Sequence, residues 1–208
     1  VNSGRHVPAA GELGRHVAAL ASADAVYDAA FRRAGLLRVR ALDELFAAAE
    51  TMGRLRAFSG RRLAILTNGG GVGGLAADSL LDLGGTLATL SPETRSKLEV
   101  LLPAAWSQDN PVDILRDADE ARYSAAVEAL LEDANSDALL VVNVPTALSS
   151  STEAALALTH AVERQPRNAR HKPVFAVWLG EEASATEALA QVHIPNYRSE
   201  ADAIRGFM

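Results

Sequence analysis

Arg62-Leu-Ala-Ile-Leu-Thr67 runs directly into Asn68-Gly-Gly-Gly-Val-Gly-Gly74, and the next segment, Leu75 to Leu83, carries apolar residues at helical spacing. An apolar run this short fits a strand buried on both faces, a glycine cluster fits a tight turn, and the periodic segment after them completes a strand–turn–helix unit. The beat repeats to the end of the chain. Gly85-Thr-Leu-Ala-Thr-Leu90 reads as a second strand. Ser91-Pro92 then offers an N-cap followed by proline at the first helical position, opening a helix to about Leu102. A loop holding Asn110-Pro111-Val112-Asp113 leads to a helix from about Glu120 to Glu132, then to a strand from Asp137 to Asn143. Ser149-Ser-Ser151 caps a helix through Arg164. Pro173–Trp178 is a fourth strand, Leu179-Gly180-Glu181-Glu182 turns into a helix, Ile194–Tyr197 is a short fifth strand, and Ser199 caps a last helix.

Five strands each followed by a helix predict an α/β fold with a doubly wound parallel sheet. The expected strand order is the flavodoxin-like 2-1-3-4-5. Residues 1–57 read differently. Val1 to Arg15 is a loop containing Gly, Pro and Arg, and helices are expected over Ala23–Ala34 and Leu42–Met52, flanking a short strand at Leu36–Val39. One strand and two helices cannot bury a sound core, so this stretch reads as a piece of something longer.

Composition narrows the chemistry. The 208 residues are 49% hydrophobic and 22% charged with a mean hydropathy of +0.05, which is ordinary globular usage and not that of a disordered chain. No window approaches the roughly 18 unbroken apolar residues of a membrane span, so no membrane partner is expected. There is no cysteine, which removes disulfides, zinc thiolates, iron–sulfur clusters and a thiol nucleophile, and fits a cytoplasmic location. The net charge of −6 and the 5% aromatic content supply neither the basic face nor the stacking platforms that nucleic acid needs. Eighteen Arg against two Lys, Lys97 and Lys172, together with abundant Ala, fit a GC-rich coding sequence better than an arginine-built site.

Gly69-x-Gly71-x-x-Gly74, between a strand and a helix, has the spacing of a dinucleotide fingerprint. Its underlying physics is more general: open backbone N–H groups at a helix start attract an anion. No lysine comes after it, so it is not a P-loop, and the acid that would bind a ribose is not in place, because Glu93 falls in the first turn of a helix. Close packing of a strand-to-helix turn explains the glycines equally well. The candidate phosphate-binding residues are Asn68, Gly69, Gly70, Gly71 and Gly73, and Asn110 and Asp113 join them as a second loop at the carboxyl edge of the sheet. The five histidines show no metal spacing. His16 comes directly after Arg15 in a glycine-containing loop and precedes an Ala-rich helical segment, where an imidazole can lie exposed. Ser149–Ser151 has no Gly-x-Ser-x-Gly elbow around it, and Asp109, Asp113, Asp117 and Asp119 lack the glycine and closing glutamate of a calcium loop, so no metal is assigned.

Ser3-Gly4-Arg5, His16, Ala19-Leu20-Ala21 and Asp24-Ala-Val-Tyr-Asp-Ala-Ala-Phe31 resemble the NDP-forming acyl-CoA synthetases, relatives of succinyl-CoA synthetase typified by the ADP-forming acetyl-CoA synthetases. The resemblance continues through Ala34-Gly35, Glu44-Leu45-Phe46, Thr67-Asn68-Gly69-Gly70, Ala76-Ala77-Asp78, Leu90-Ser91-Pro92-Glu93-Thr94, Leu102-Pro103, Asn110-Pro111-Val112-Asp113 and Tyr197-Arg198, in the family's order.

The resemblance implies the C-terminal part of one succinyl-CoA synthetase-like flavodoxin domain over residues 1–58, carrying the histidine loop, and a complete second one over 59–208. It implies that His16 stands at the family's phosphohistidine position and that the Asn68–Gly74 turn cradles the phosphoryl group. Partners would be a CoA-binding Rossmann domain and an ATP-grasp domain, and a homodimer is compatible with it. CoA, ATP or ADP and Mg²⁺ would serve the full-length enzyme, with no cofactor bound by this fragment itself. Arg15, Val17 and Ala18 replace the Ser, Thr and Gly usual beside the histidine, removing a hydroxyl donor and some loop freedom. Arg33–Val39 and Gly85–Leu90 also resemble a sub-family in which these domains are fused to a GNAT acetyltransferase acting on protein lysines. In that alternative the synthetase-like region senses ligands without turnover.

Overall fold

The computed structural model describes residues 24–165, 171–180 and 183–208. It divides into two compact units, Val1–Leu45 and Phe46–Met208. In the first, helix α1 (Asp24–Arg33) ends on Gly35, whose φ of 66° is the left-handed conformation that closes a helix at little steric expense. Asp28 is ion-paired with Arg38, which holds the carboxyl below its usual range. The strand expected at Leu36–Val39 is not formed: the segment has no ladder partner among the described residues, and a strand without one has nowhere to place its backbone hydrogen bonds. Helix α2 (Leu42–Arg54) comes next, and its Glu44 carboxylate accepts the N–H of Arg40 at 2.6 Å.

The second unit is the expected parallel sheet. Strand β1 (Arg62–Thr67) is succeeded by α3 (Gly70–Asp82), β2 (Thr86–Leu87), α4 (Pro92–Leu101), β3 (Val112–Asp113) and α5 (Glu120–Glu132). Then come β4 (Ala138–Asn143), α6 (Ser151–Glu163), β5 (Val174–Trp178), α7 (Ala183–Gln191), β6 (Asn196–Tyr197) and α8 (Glu200–Phe207). The order is β2-β1-β4-β5-β6, all pairs parallel. That is 2-1-3-4-5 when β3 is set aside.

The difference from expectation is β3, which pairs Val112 and Asp113 with Leu66 and Thr67 on the same edge of β1 that β2 occupies at Arg62 and Leu63. The edge is therefore shared: β2 holds its first half and β3 its second. The expected strand 85–90 shortens to two residues for this reason. The helix after the glycine cluster also starts earlier than its apolar spacing suggests, at Gly70.

Alternation along the buried strands feeds two cores. Ala64, Leu66, Leu139, Val141 and Ala176 join α4, α5, α6 and α7 on one face, whereas Leu63, Ile65, Leu140, Val142, Phe175 and Val177 join α3 and α8 on the other. Among the described residues four helix starts carry side-chain caps: Ser91, Asp119, Ser150 and Ser199 accept from the N–H of Thr94, Arg122, Glu153 and Asp202. Each is a hydroxyl or carboxylate standing just before a periodic run.

The amino end of the sheet is tied by one carboxylate. Asp137 accepts from the N–H of Arg61 at 3.1 Å and Arg62 at 3.0 Å, and takes the Arg62 guanidinium at 3.1 and 2.8 Å. Gly60, at φ 117°, passes so close that a Cβ there would lie 2.2 Å from the Asp137 side chain. The Arg62 guanidinium holds the Asp137 carboxyl at about 2, well under its ordinary 3.8. A depressed pKa contributes stability above the unfolded value, lost as pH falls from about 4 through about 2. With Arg62 half-exposed and screened, Asp137→Asn should lower stability by about 1 kcal/mol at pH 7. The deficit should shrink toward zero at pH 2 in urea melts of variant and parent; a pH-independent deficit would show that the amide merely packs badly.

Candidate functional site

The chain's glycine turn, its Asn-Pro-Val-Asp loop and the ends of β1, β3 and β4 meet at the carboxyl edge of the sheet. Asn110 is the piece that holds them in register. In an uninterrupted parallel ladder the Ile65 N–H would succeed Ala88 N–H···O=C Leu63 (2.9 Å) by donating to the Ala88 carbonyl. Instead the Asn110 carboxamide is inserted there. Its Oδ1 accepts from Ile65 N–H at 2.9 Å, and its Nδ2 donates to the Leu63 and Ala88 carbonyls, each at 2.9 Å. The side-chain amide stands in for a peptide unit at the point where β2 leaves β1 and β3 has yet to arrive. Asn110 is 8% exposed, so it lines nothing and instead positions the residues after it.

Those residues are Pro111, then the β3 ladder, then Asp113. The Asp113 N–H donates to Ser107 Oγ at 2.9 Å, and its Oδ1 accepts from Leu115 N–H at 2.9 Å, with Leu115 held at φ 69°. A non-glycine residue in the left-handed region is strained, and the strand and turn around it enforce the geometry. The other carboxylate oxygen lies against α3: a Cβ on Gly70 would be 2.5 Å from Asp113 Oδ2.

The glycines divide into two groups. A Cβ on Gly69 would be 2.7 Å from Val144 Cγ2, and one on Gly73 would be 2.8 Å from Thr67 Cγ2 and 3.4 Å from Pro111 Cβ. Gly69, Gly70 and Gly73 are thus required for close approach, whereas Gly71 and Gly74 meet nothing within 4 Å. This is the wrong set for the dinucleotide fingerprint, whose third glycine is the one that packs helix on strand. At the strand-order reversal, an asparagine bridges the ends of β1 and β4. Asn68, 2% exposed, donates from Nδ2 to the Val144 carbonyl at 2.9 Å and accepts from Val144 N–H at 2.7 Å. The Asn68 side chain is thus used up within the protein.

Exposed at this edge is the start of α3. Gly69 is its N-cap and offers no side chain; the N–H groups of Val72 and Gly73 turn back to the Gly69 carbonyl at 3.0 and 3.2 Å. The first helical N–H groups, of Gly70 and Gly71, are those that a helix leaves open. Beneath the edge, on the other face, buried Asn143 donates to Tyr123 Oη at 2.8 Å, and its own Oδ1 has no hydrogen-bond partner among the described residues. Burial, above all, pushes the Tyr123 hydroxyl far up, and the Asp113 charge adds to it, so it stays a neutral phenol. No sequence signal marks this pair, because an asparagine ending an apolar strand and a tyrosine on a helix are separated by 20 residues.

His16 lies outside the described residues. Among those described, no group of three or more His, Asp or Glu could hold a metal ion. A cavity of about 640 Å³ lies at the opposite, amino end of the sheet, lined in part by Asp133, Asp137, Arg164 and Lys172, away from the glycine turn.

The two glycine groups should separate by mutation. Gly71→Ala adds a methyl into open space in a helix and should stabilise the fold by about 0.5–1 kcal/mol, whereas Gly73→Ala and Asn110→Ala should each destabilise it by about 2 kcal/mol or more. Urea denaturation of the three variants tests the division; equal losses at Gly71 and Gly73 would refute it.

Comparison with known proteins agrees with this fold. The model of the succinyl-CoA ligase like flavodoxin domain matches residues 1–52, and that of the ligase-CoA domain matches residues 63–204. The alpha subunit of an ADP-forming acetate–CoA ligase II of Pyrococcus furiosus is 35% identical over 196 residues, 90% of this chain and 41% of the relative. An ADP-forming acetate–CoA ligase I of Archaeoglobus fulgidus is 38% identical over 155 residues, 74% of this chain and 22% of the relative. Among solved structures, a protein of Pyrococcus horikoshii OT3 superposes with a TM-score of 0.81 at 31% identity, covering 99% of this chain and 49% of the other. The dinucleotide-forming acetyl-coenzyme A synthetase 1 of Ca. Korarchaeum cryptofilum, in complex with phosphate and ADP, gives a TM-score of 0.78 at 27% identity over 94% of this chain and 43% of the other. The chain spans less than half the length of these relatives. It belongs to the NDP-forming acyl-CoA synthetase family, matching the ligase-CoA domain and the succinyl-CoA ligase-like flavodoxin domain before it.

Proposed function

We propose that this chain is the phosphoryl-relay part of an ADP-forming acyl-CoA synthetase, an acid–thiol ligase that works through a phosphohistidine at His16. The observation that carries the reading is the start of α3: a helix of 13 residues with an uncapped N-terminus, set in the family's Thr-Asn-Gly-Gly motif at the carboxyl edge of the sheet. Such an end attracts phosphate through its open N–H groups and its dipole. The similarity to a synthetase solved with phosphate and ADP supports it.

In the reaction so read, phosphate displaces CoA from an acyl-CoA to give an acyl phosphate. An imidazole nitrogen of His16 then attacks the phosphorus, the bond from phosphorus to the acyl oxygen breaks, and the free acid leaves. A terminal oxygen of ADP next attacks the same phosphorus, the P–N bond breaks, and ATP forms with the imidazole restored. Imidazole suits this role because its pKa near 6.5 leaves a lone pair available at pH 7. The Gly69–Gly73 turn would receive the phosphoryl group on the histidine, with Gly70 and Gly71 supplying N–H donors. CoA, ATP or ADP and Mg²⁺ would be held by a CoA-binding Rossmann domain and an ATP-grasp domain in the same or a partner chain. We further propose domains at 1–58 and 59–208; the two family models stop and restart either side of that boundary.

The test uses the full-length parent protein with Mg²⁺ and γ-labelled ATP. An acid-labile, alkali-stable phosphate mapped to His16, and absent from His16→Ala, is the expected result. No label in a folded protein that still binds ATP would overturn the relay. The region would then be a ligand-sensing one, as beside a GNAT acetyltransferase, a reading that the Arg15, Val17 and Ala18 flanks favour.

A further inference from the structure

We propose that Asp113 sets how tightly the α3 terminus holds a phosphoryl group, acting as the resident anion of that helix when the site is empty. The proposal rests on the reading of the α3 start as a phosphoryl site and adds to it the residue that tunes it. A carboxylate oxygen lies against Gly70, so close that a methyl group there would be 2.5 Å from it. It cannot drift away with a flexible loop. Its partner oxygen is held by Leu115 N–H, its own N–H by Ser107 Oγ, and its strand by the pairing with Leu66 and Thr67. Upstream, the buried Asn110 fixes the loop through three hydrogen bonds to the backbone of Leu63, Ile65 and Ala88.

One charge has two effects. A carboxylate beside an uncapped helix start offsets the positive end of the helix dipole and stabilises the empty protein. The same carboxylate repels a phosphate dianion arriving at the Gly70 and Gly71 N–H groups. A relay must release what it receives, and a site that bound phosphate as firmly as its donors allow would hold it instead of passing it on. Asp113 keeps the group exchangeable.

A residue that merely supported the fold would, when changed, weaken stability and binding together. Asp113 predicts opposite signs. In the 208-residue chain, inorganic phosphate is titrated in metal-free buffer while the amide resonances of Gly70 and Gly71 are monitored, and thermal melting is recorded without phosphate. Asp113→Asn keeps the shape and the acceptor for Leu115 N–H; it should melt a few degrees lower and bind phosphate about tenfold tighter. Gly71→Asp, which adds a second carboxylate in open space, should weaken phosphate about tenfold. Shifts at Gly70 and Gly71 with unchanged or weaker binding by Asp113→Asn would overturn the proposal while leaving the phosphoryl site standing. No shift at either glycine, in any of the three proteins, would remove the site and the proposal with it.

Discussion

One carboxamide decides the form of the carboxyl edge. Strand β1 is central, and the edge facing β2 needs hydrogen-bond partners along its whole length, because buried N–H and C=O groups left without them are expensive. Strand β2 supplies them only up to Leu63 and β3 only from Leu66. Ile65 N–H falls in the gap, and Asn110 closes it with a group that has the donors and acceptor of a peptide in the geometry of one. The loop is anchored by this insertion, Pro111 is brought onto Gly73, and Asp113 is delivered to Gly70. Remove the carboxamide, and the Ile65 N–H and the Ala88 carbonyl lose their partner together, the Leu63 carbonyl keeps only the Ala88 N–H, and the register of everything after Asn110 is loosened.

The glycine turn is best understood as a packing solution that leaves the start of α3 exposed. Gly69, Gly70 and Gly73 are small because Val144, Asp113 and Thr67 come too near for a side chain. These contacts bring the helix start down onto the strand ends, and Asn68, bonded to both the N–H and the carbonyl of Val144, spans the crevice between β1 and β4. Doubly wound sheets commonly bind ligands inside that crevice. Here the Asn68–Val144 hydrogen bonds cross that point, and the start of α3 stands exposed beside it.

Much of the fold is legible in the residues. The buried runs at 62–67, 138–143 and 174–178, and the caps at Ser91, Ser150 and Ser199, each carry a local signal that the structure repeats. The departures share a cause. Leu36–Val39 has strand-forming residues but no ladder partner among the described residues; Val112–Asp113 has only two residues and becomes a strand because Leu66 and Thr67 are open to it. The start of α3 is hidden because four of its first five residues, Gly70 to Gly74, have the poorest helix propensity short of proline, so tertiary contacts override local preference. At the candidate site, the motif residues are visible, but their division of labour is not. Asn68 and Asn110 look like ligand-facing amides and are instead consumed by the backbone. Which glycine is packed and which is open depends on Val144 and Asp113, far away along the chain.

The rigid edge also explains why an acid can stand beside an uncapped helix start without capping it. An unrestrained aspartate would approach the open N–H groups of Gly70 and Gly71 and cap the helix permanently, as Asp119 caps α5 through Arg122 N–H. Asp113 is prevented from doing so by the strand pairing and by its bond to Leu115 N–H, which aim one oxygen away from the helix. The carboxylate therefore acts through space and leaves the donors free. That arrangement gives a helix end stabilised by a nearby charge while its first N–H groups stay open, with the strain at Leu115, at φ 69°, as the structural cost of holding the charge in place.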